Sequence, residues 1–401
     1  VPEGWAWCRL PEITEYIFAG GDKPSVFSKE KTDECFIPIY SNGIENDGLY
    51  GFTDKATAKE TSLTISARGT IGFTCIRTTA FVPIIRLITI TPNNDYINIH
   101  YLKAVFDSLF SFSEGSSIPQ LTVPTIKQFL IPLPPFNEQK NIYSSITKIE
   151  TIIQTLEQNK NDLKISIKQT KSKILDLAIH GKLVPQDPND EPAEELLKRI
   201  ATSDNRPYKK FEEEEPFEIP SNWSWCFLDD ICSKIKRGKS PKYVDKSTIM
   251  AFAQKCNQKD GPTSLDKALY IDETTLKKYP EEEKMQFNDI VINSTGTGTL
   301  GRVGIFNCSI PNDVNAVYPD SHVTTVRILP EIDKLYCYYF IKNKQSYLET
   351  IGEGSTNQKE LKPDTISSLY FPLPPYSEQL RIVSKIEELF SYLDKISFNL
   401  E

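Results

Sequence analysis

Two segments of the chain place isoleucine and leucine at intervals that alternate between four and three residues. In the first, residues 137–181, the apolar positions are Ile142, Ile146, Ile149, Ile153, Leu156, Leu163, Ile167, Ile174 and Leu177. Lys160 and Thr170 fill the two gaps in the series. This spacing is the seam of a coiled coil and predicts a helix of roughly 40 residues, about 60 Å long. His180 and Gly181 supply the signal for its C-terminal end.

The second segment, residues 377–401, keeps the same register 240 positions later, as the pair 142 and 382 illustrates. Its seam consists of Ile382, Ile386, Leu389, Leu393, Ile396 and Leu400. Because the seam is still running at Leu400, we expect this helix to be truncated at the C-terminus. A narrow apolar stripe needs a partner in water, and the nearest candidate is the other helix of the same chain. Pairing between two chains is the alternative.

Sequence markers around these helices also occur twice. Residues 132–139 (PLPPFNEQ) recur as 372–379 (PLPPYSEQ), and residues 2–8 (PEGWAWC) recur as 220–226 (PSNWSWC). An internal repeat of this kind predicts two related globular domains, 1–136 and 220–376, each followed by its helix. Residues 182–219 between the two repeats are rich in Pro, Asp and Glu, which is linker composition, apart from a short amphipathic helix.

The globular segments contain short β-type runs separated by Gly and Asn. Examples are 36–40, 63–66, 83–91, 290–293 and 323–329. Helices are expected at 99–110 and 335–348. The predicted fold class is therefore α+β.

Composition and charge exclude only a few classes of site. The formal net charge is -8, but a basic run stands out locally, with Lys234, Lys236, Arg237, Lys239, Lys242 and Lys246 within thirteen residues. The eight cysteines form no C-x-x-C pair, and with three histidines they build no zinc-ligand spacing, so we expect no metal site. The chain has no apolar run of membrane-spanning length and no signal-peptide pattern, which leads us to expect a cytoplasmic protein.

Two motifs suggest enzymes but lack the required context. Residues 296–301 match G-x-G-x-x-G, yet residues 302–306 read as a strand, whereas a dinucleotide site needs a helix there. Residues 133–136 (LPPF) and 373–376 (LPPY) are similar to the motif of amino-methyltransferases. Leu in the first position offers no acceptor for a base amine, which argues against methyl transfer. We expect the prolines to fix the exit from domain to helix instead.

Taken together, the PLPPFNEQ segment, the long heptad helix ending in LAIHGKLVPQDPNDEPA, and the repeated boundaries resemble the specificity subunits of type I restriction-modification systems. The resemblance covers essentially the whole chain. It implies two target-recognition domains, held by an antiparallel, pseudo-two-fold pair of spacer helices, that read a bipartite, asymmetric double-stranded DNA site. Half-sites would lie on the order of one helical turn, ~34 Å, apart. It also implies two methyltransferase subunits as partners, with endonuclease-translocase subunits in some assemblies. S-adenosylmethionine, ATP and Mg2+ would bind those partners, and this chain would bind no cofactor.

Within this interpretation, base readers must be hydrogen-bond donors or acceptors on one face of each domain. The candidates in the first domain are Ser41, Asn42, Lys55, Arg68 and Gln120, and Ser116 is a further DNA-binding candidate in the polar loop 113–120. Those in the second are Lys255, Asn293, Arg302, Asn357 and Gln358, and Lys359 is a further DNA-binding candidate in the polar loop 354–359. Lys236, Arg237 and Lys239 of the basic run are candidates for phosphate contacts, for which a solvated surface is the alternative. Two other classes of function remain open: a methyltransferase or nuclease component, and a coiled-coil scaffold without a DNA role.

Overall fold

The computed structural model describes residues 1–111, 120–203, 205–259, 262–296, 298–352 and 359–400. Three of the candidate residues, Ser116, Asn357 and Gln358, lie outside these ranges. The chain forms two compact units, unit 1 (1–159) and unit 2 (160–401). No helix within the described residues is both long and apolar enough to cross a membrane.

Unit 1 combines short strands with two helices before the long helix begins. Its strands are β1 (Ala6–Arg9), β2 (Thr14–Ala19), β3 (Ile37–Tyr40), β4 (Leu49–Thr53), β5 (Ser62–Ile65), β6 (Thr74–Arg77), β7 (Val82–Pro83), β8 (Ile88–Pro92) and β9 (Leu130–Leu133). Its helices are α1 (Ile99–Ser111), α2 (Val123–Lys127) and the start of α3 (Phe136–Ile179), which continues into unit 2. Leu63 and Ile90 of the sheet pack with Phe106 of α1 in a buried core.

Unit 2 contains a larger set of elements. Its strands are β10 (Ser224–Phe227), β11 (Cys232–Arg237), β12 (Tyr243–Val244), β13 (Ile249–Phe252), β14 (Leu269–Ile271), β15 (Asp289–Asn293), β16 (Val303–Phe306), β17 (Ala316–Pro319), β18 (Val323–Ile328) and β19 (Tyr370–Leu373). Its further helices are α4 (Ala193–Ser203), α5 (Lys334–Asn343), α6 (Gln345–Thr350), α7 (Pro363–Ser367) and α8 (Tyr376–Phe398).

Corresponding strands have the same order in the two units, and the smaller sheet of unit 2 has one additional strand, β12. The main sheet has the order β2-β8-β5-β6 in unit 1 and β11-β18-β15-β16 in unit 2, antiparallel throughout. The smaller sheets, β4-β3-β7 and β12-β14-β13-β17, each contain one parallel pair, β3 with β7 and β13 with β17. A two-stranded ribbon, β1-β9 or β10-β19, completes each unit. The α+β class and the internal repeat are therefore confirmed.

Two predicted elements were wrong in detail. The run 83–91 is not one strand, because Ile85 and Arg86 adopt positive φ of 53° and 64° and turn the chain between β7 and β8. This turn packs against Gly20, where an added Cβ would lie 2.5 Å from the Pro83 carbonyl carbon. The helix expected at 335–348 is divided into α5 and α6 at Lys344.

The long helix α3 ends as a glycine-terminated helix should. Gly181 has φ +65°, and the amide of Lys182 donates back to the carbonyl of Leu177 at 2.9 Å. An added Cβ on Gly181 would lie 2.4 Å from the ring of Pro220. Glycine is thus required by both the backbone conformation and the close approach.

Burial along the predicted seam is uneven. Ile167 and Ile174 of α3 and Ile382 and Ile386 of α8 are buried. The remaining seam positions are half-buried at Ile142, Ile146, Leu177, Leu389, Leu393 and Leu400, and exposed at Ile149, Ile153, Leu156, Leu163 and Ile396. The described part of the chain therefore covers the seam close to the domains and leaves the middle of α3 open.

Inside unit 2 the end of α3 and α8 run antiparallel. Lys171 forms an ion pair with Asp394 at 2.5 Å, near the end of α8. Gln186, which follows α3 in the sequence, donates to Glu378 at 2.6 Å, near the beginning of α8. Contacts that advance from α3 into the residues after it thus move backwards along α8. Ile174 and Ala178 belong to the same apolar core as Ile382.

The linker after α4 packs on the globular part of unit 2. The ring of Phe211 lies 5.1 Å from that of Tyr370, and Phe217 lies 4.8 Å from Trp225. Trp225 is consequently 6% exposed, whereas Trp7, its counterpart in the repeat, is 56% exposed.

Candidate nucleic-acid interface

The repeated Glu-Gln of the PLPP motif fastens each globular part to its helix. In unit 1 the indole Nε1 of Trp5 donates to Glu138 at 3.1 Å. The side chain of Gln139, which is fully buried, accepts from the amide of Asn98 at 2.8 Å. Its Nε2 donates to the carbonyls of Tyr96 and Pro134 at 2.9 and 3.0 Å. We call this Trp-Glu-Gln set the latch.

Unit 2 repeats the latch with matching partners. Trp223 Nε1 donates to Glu378 at 2.9 Å, the amide of Asp333 donates to Gln379 at 2.9 Å, and Gln379 Nε2 donates to the Pro374 carbonyl at 2.9 Å. Glu378 is fully buried here, and burial raises its pKa although the hydrogen bonds from Trp223 and Gln186 act in the opposite direction. The repeated PLPP segment and its Glu-Gln pair therefore have a structural role: their hydrogen bonds orient each globular part on the helix that follows it.

In unit 1 the structure brings three of the predicted readers together. Arg68 is exposed, and its Nη2 donates to Gln120 Oε1 at 3.0 Å. Asn42 accepts from the amide of Ala67 at 2.7 Å and donates to the carbonyl of Ile85 at 2.6 Å. Its amide is therefore used to hold the turn that presents Arg68, which makes Asn42 a positioning residue.

Ser41 and Lys55 are also accessible in unit 1. Lys55 is exposed and Ser41 is half-buried. The structure shows no hydrogen bond between either side chain and Arg68 among those described. Both side chains therefore stay candidates for contact with DNA on the grounds of their exposure alone.

In unit 2 the predicted readers separate into different environments. Asn293 is fully buried, donates to the carbonyl of Gln254 at 3.2 Å and accepts from Asn257 at 3.2 Å. The prediction that Asn293 reads a base is therefore wrong, because its amide is part of the core. Arg302 donates to the carbonyls of Asn257 and Gly298 at 2.9 and 3.2 Å. It thus holds the turn that contains Gly296, Gly298 and Gly301, which we call the glycine turn. Lys255 is exposed.

The basic run is largely neutralised within unit 2. Lys236 and Lys239 both approach Glu283, at 2.6 and 3.2 Å, and Arg237 pairs with Glu360. The pKa of Lys234 falls to about 8, mainly because burial disfavours its charge. The run thus presents less free positive charge than its sequence indicates.

A different basic surface was missed at the level of sequence. Arg302 and Lys359 line one cleft together with Lys164, Lys168 and Lys171 of α3. We call it the basic cleft. The available signal was the spacing of the three helix lysines, which lie at i, i+4 and i+7 and so share a helix face. The spacing of these lysines does not reveal which part of unit 2 their helix face packs against, so the cleft could not be predicted from the spacing alone.

Comparison with known proteins assigns the family. The model of the type I restriction modification DNA specificity domain matches residues 2–164 and 220–399, one match in each repeat. The chain belongs to this family.

Several curated proteins are similar over almost the full chain. The specificity subunit of the type I restriction enzyme EcoAI from Escherichia coli is 27% identical, with 99% of this chain and 79% of that protein aligned. The EcoEI specificity subunit of the same species is 25% identical, with 100% and 80% aligned. The MjaVIII specificity subunit of Methanocaldococcus jannaschii is 22% identical, with 98% and 88% aligned.

Solved structures support the fold. The HsdS subunit from Thermoanaerobacter tengcongensis superimposes with a TM-score of 0.58 at 14% identity, covering 100% of this chain and 92% of that one. A chain from a structural study of assembly and conformational transition in the type I R-M system gives a TM-score of 0.63 at 16% identity, covering 100% and 93%. The two-repeat architecture is thus shared with these proteins.

Proposed function

We propose that this chain is the specificity subunit of a type I restriction-modification complex, a reader of DNA and not a catalyst. Each unit reads one half of a bipartite double-stranded site. The observation that carries the proposal is that both repeats match the DNA specificity domain family and have the same main-sheet strand order and the same latch. Their exposed turns differ in sequence, so the two half-sites differ and the whole site is asymmetric.

Arg68 is the strongest candidate for reading a base in unit 1. A guanidinium can donate two parallel hydrogen bonds to the O6 and N7 of guanine in the major groove. Gln120 restrains the Arg68 fork, which reduces the entropy lost on binding. Ser41, Lys55 and Ser116 complete the proposed contact set of this unit. Lys255, Arg302, Asn357, Gln358 and Lys359 form the set in unit 2, and Lys236, Arg237 and Lys239 have a secondary role because acidic neighbours compensate them.

The partners follow from the same proposal. Two methyltransferase subunits join the chain to modify adenine, and endonuclease-translocase subunits join where restriction occurs. S-adenosylmethionine, ATP and Mg2+ bind those subunits and not this chain. The assembly works in the cytoplasm, where the host DNA is.

The test is selection of duplexes from a randomised library by the chain assembled with the methyltransferase subunits of its own system. We expect two conserved blocks separated by an unread spacer of fixed length. Arg68→Ala should relax one position of one block, with a loss of about 1–3 kcal/mol, or roughly 5- to 150-fold, against the preferred base. The second block should not change.

Two variants accompany this measurement. Gln120→Ala should weaken the base preference at the same position less than Arg68→Ala does, because it leaves the guanidinium of Arg68 in place and removes only its restraint. Lys59→Ala, which removes an exposed charge of the same unit, should leave base preference intact. A wild-type complex that selects no sequence, or only one block, would show that the proposed function is wrong.

A further inference from the structure

The basic cleft of unit 2 is bounded by the spacer helices on one side and the globular part on the other. Its volume is about 910 Å³. The helix side contributes Lys164, Lys168 and Lys171. The globular side contributes Lys259, Arg302, Lys342 and Lys359, all from loops or helix ends around the glycine turn. Among the residues lining the cleft, seven are basic and Glu349 alone is acidic.

Part of this charge is fixed by internal contacts. Lys171 pairs with Asp394 and also lies 5.0 Å from the centre of the Phe390 ring. Lys342 donates to the Val303 carbonyl at 2.9 Å. These contacts hold the walls of the cleft in place.

The other lysines of the cleft are not compensated in this way. Lys164, Lys168, Lys259 and Lys359 make no ion pair with any acidic side chain in the described part of the chain. In a protein of net charge -8, such a concentration of positive charge is a local excess. Like charges that face one another across a cleft repel, so an anion placed between them relieves an unfavourable interaction.

The glycine turn does not have the structure of a small-nucleotide site. After Gly301 the chain enters strand β16, so the turn does not lead into a helix whose N-terminus could receive a pyrophosphate, as a dinucleotide fingerprint requires. Gly298 has φ +75°, and a Cβ placed there would meet nothing within 4 Å. At Gly298 the turn is therefore open towards the outside, which permits close approach of an extended polyanion at that point.

We propose that the basic cleft binds phosphates of the DNA backbone next to the half-site read by unit 2, so that spacer helix α3 is itself a DNA contact. This inference rests on the proposed function. The contact is independent of sequence, because lysines on a helix face neutralise phosphates without reading bases. It adds affinity and orientation over DNA that lies outside the recognised bases.

The experiment compares two double variants in the chain assembled with its methyltransferase subunits. Lys164→Ala/Lys168→Ala removes two charges from the cleft. Lys148→Ala/Lys173→Ala removes two charges from the opposite face of the same helix, because residues 148 and 173 are rotated by about 160–180° from Lys164 at ~100° per residue. Affinity for a duplex with the selected site and for a scrambled duplex is measured over a range of salt concentrations.

The cleft variant should bind both duplexes more weakly. The slope of log K against log salt should become shallower by roughly 2, because each phosphate that the protein neutralises contributes ~0.9 to that slope. The preferred bases should remain the same. The control variant should match the wild type. Equal salt slopes in the two double variants would overturn the proposal, while selective binding by the wild type would show that the proposed function survives.

A second arm identifies the kind of phosphate. The free chain is titrated with ATP by calorimetry. No saturable binding is expected. Saturable ATP binding that disappears in Lys164→Ala/Lys168→Ala would assign the cleft to a nucleotide and would contradict the DNA contact.

Discussion

Among the hydrogen bonds of the latch in unit 2, the one from Trp223 to the buried carboxylate of Glu378 can be tested alone. Trp223→Phe keeps an aromatic ring but removes the N–H donor. Hydrogen bonds to charged groups contribute about 1.5–3 kcal/mol, and the smaller ring adds a packing loss on the order of 1 kcal/mol. We expect a total loss of about 2.5–4 kcal/mol in local stability at neutral pH.

Two tryptophans provide matched controls. Trp225 is as buried as Trp223, but its Nε1 has no hydrogen-bond partner among the described residues. Trp225→Phe therefore removes ring volume and an unsatisfied donor, and we expect it to cost about 1 kcal/mol or less. In unit 1, Trp5 is half-buried and Glu138 is exposed, so water replaces the partner and Trp5→Phe should also cost less than about 1 kcal/mol.

Hydrogen exchange followed by mass spectrometry measures each site in the intact chain. Trp223→Phe should accelerate exchange of amides in β10, β19 and the first turns of α8 by about 60-fold or more, since ~1.4 kcal/mol corresponds to a factor of ten. The other two variants should change exchange by less than about tenfold. Equal acceleration by Trp223→Phe and Trp225→Phe would refute the reasoning, because ring size would then account for the whole effect.

Three further predictions concern the glycine turn and the titrating groups of unit 2. Gly301→Ala should destabilise unit 2 by about 1–3 kcal/mol more than Gly298→Ala. Both residues have φ +75°, but a Cβ at 301 would lie 2.5 Å from a backbone nitrogen of α6, whereas position 298 is open; similar melting temperatures would contradict this. Burial raises the pKa of Glu378 above its ordinary 4.5, so the stability it contributes is fully present below pH 4.5 and is lost as pH rises through the folded-state pKa. Glu378→Gln should therefore flatten the stability profile just above pH 4.5, and an unchanged profile would count against the raised pKa. The hydrogen bond from Lys242, with those from Thr274, lowers the pKa of Asp272 to about 2. Its contribution to stability is present above 3.8 and is lost as pH falls towards 2; Lys242→Ala should raise that pKa in an NMR titration, and no shift would contradict the assigned cause.

Much of the architecture could be predicted from the sequence because its signals are local or repeated. The seam spacing gave both long helices, and the duplicated PLPP and Trp markers gave two related domains. The break between β7 and β8 could not be predicted, because Ile85 and Arg86 are not residues that usually adopt positive φ. That conformation is imposed by packing against Gly20, which lies far away in the sequence.

The candidate site was harder to predict because charge and exposure depend on partners distant in the sequence. The sequence of the basic run does not show which acidic residues pair with it. Lys236 and Arg237 form ion pairs with Glu283 and Glu360, which lie 47 and 123 positions further along the chain. Asn293 looked like a reader, but its strand lies in the middle of a sheet and its amide is buried. The spacing of the helix lysines shows that they share one face of α3, but the surface that this face meets depends on how α3 packs beside the glycine turn.

The arrangement of α3 and α8 in unit 2 follows from the globular part as much as from the heptad seam. Ile174 and Ala178 at the end of α3 and Ile382 at the start of α8 share one core with strands and helices of that unit. The latch fixes the first turn of α8 through Glu378 and Gln379. A seam acting alone would bury its apolar positions evenly, yet burial is greatest where the helices meet this core and falls away at Leu163 and Ile396. The globular part therefore sets the direction of the helices, and the same packing places the lysines of α3 across the basic cleft from Arg302 and Lys359.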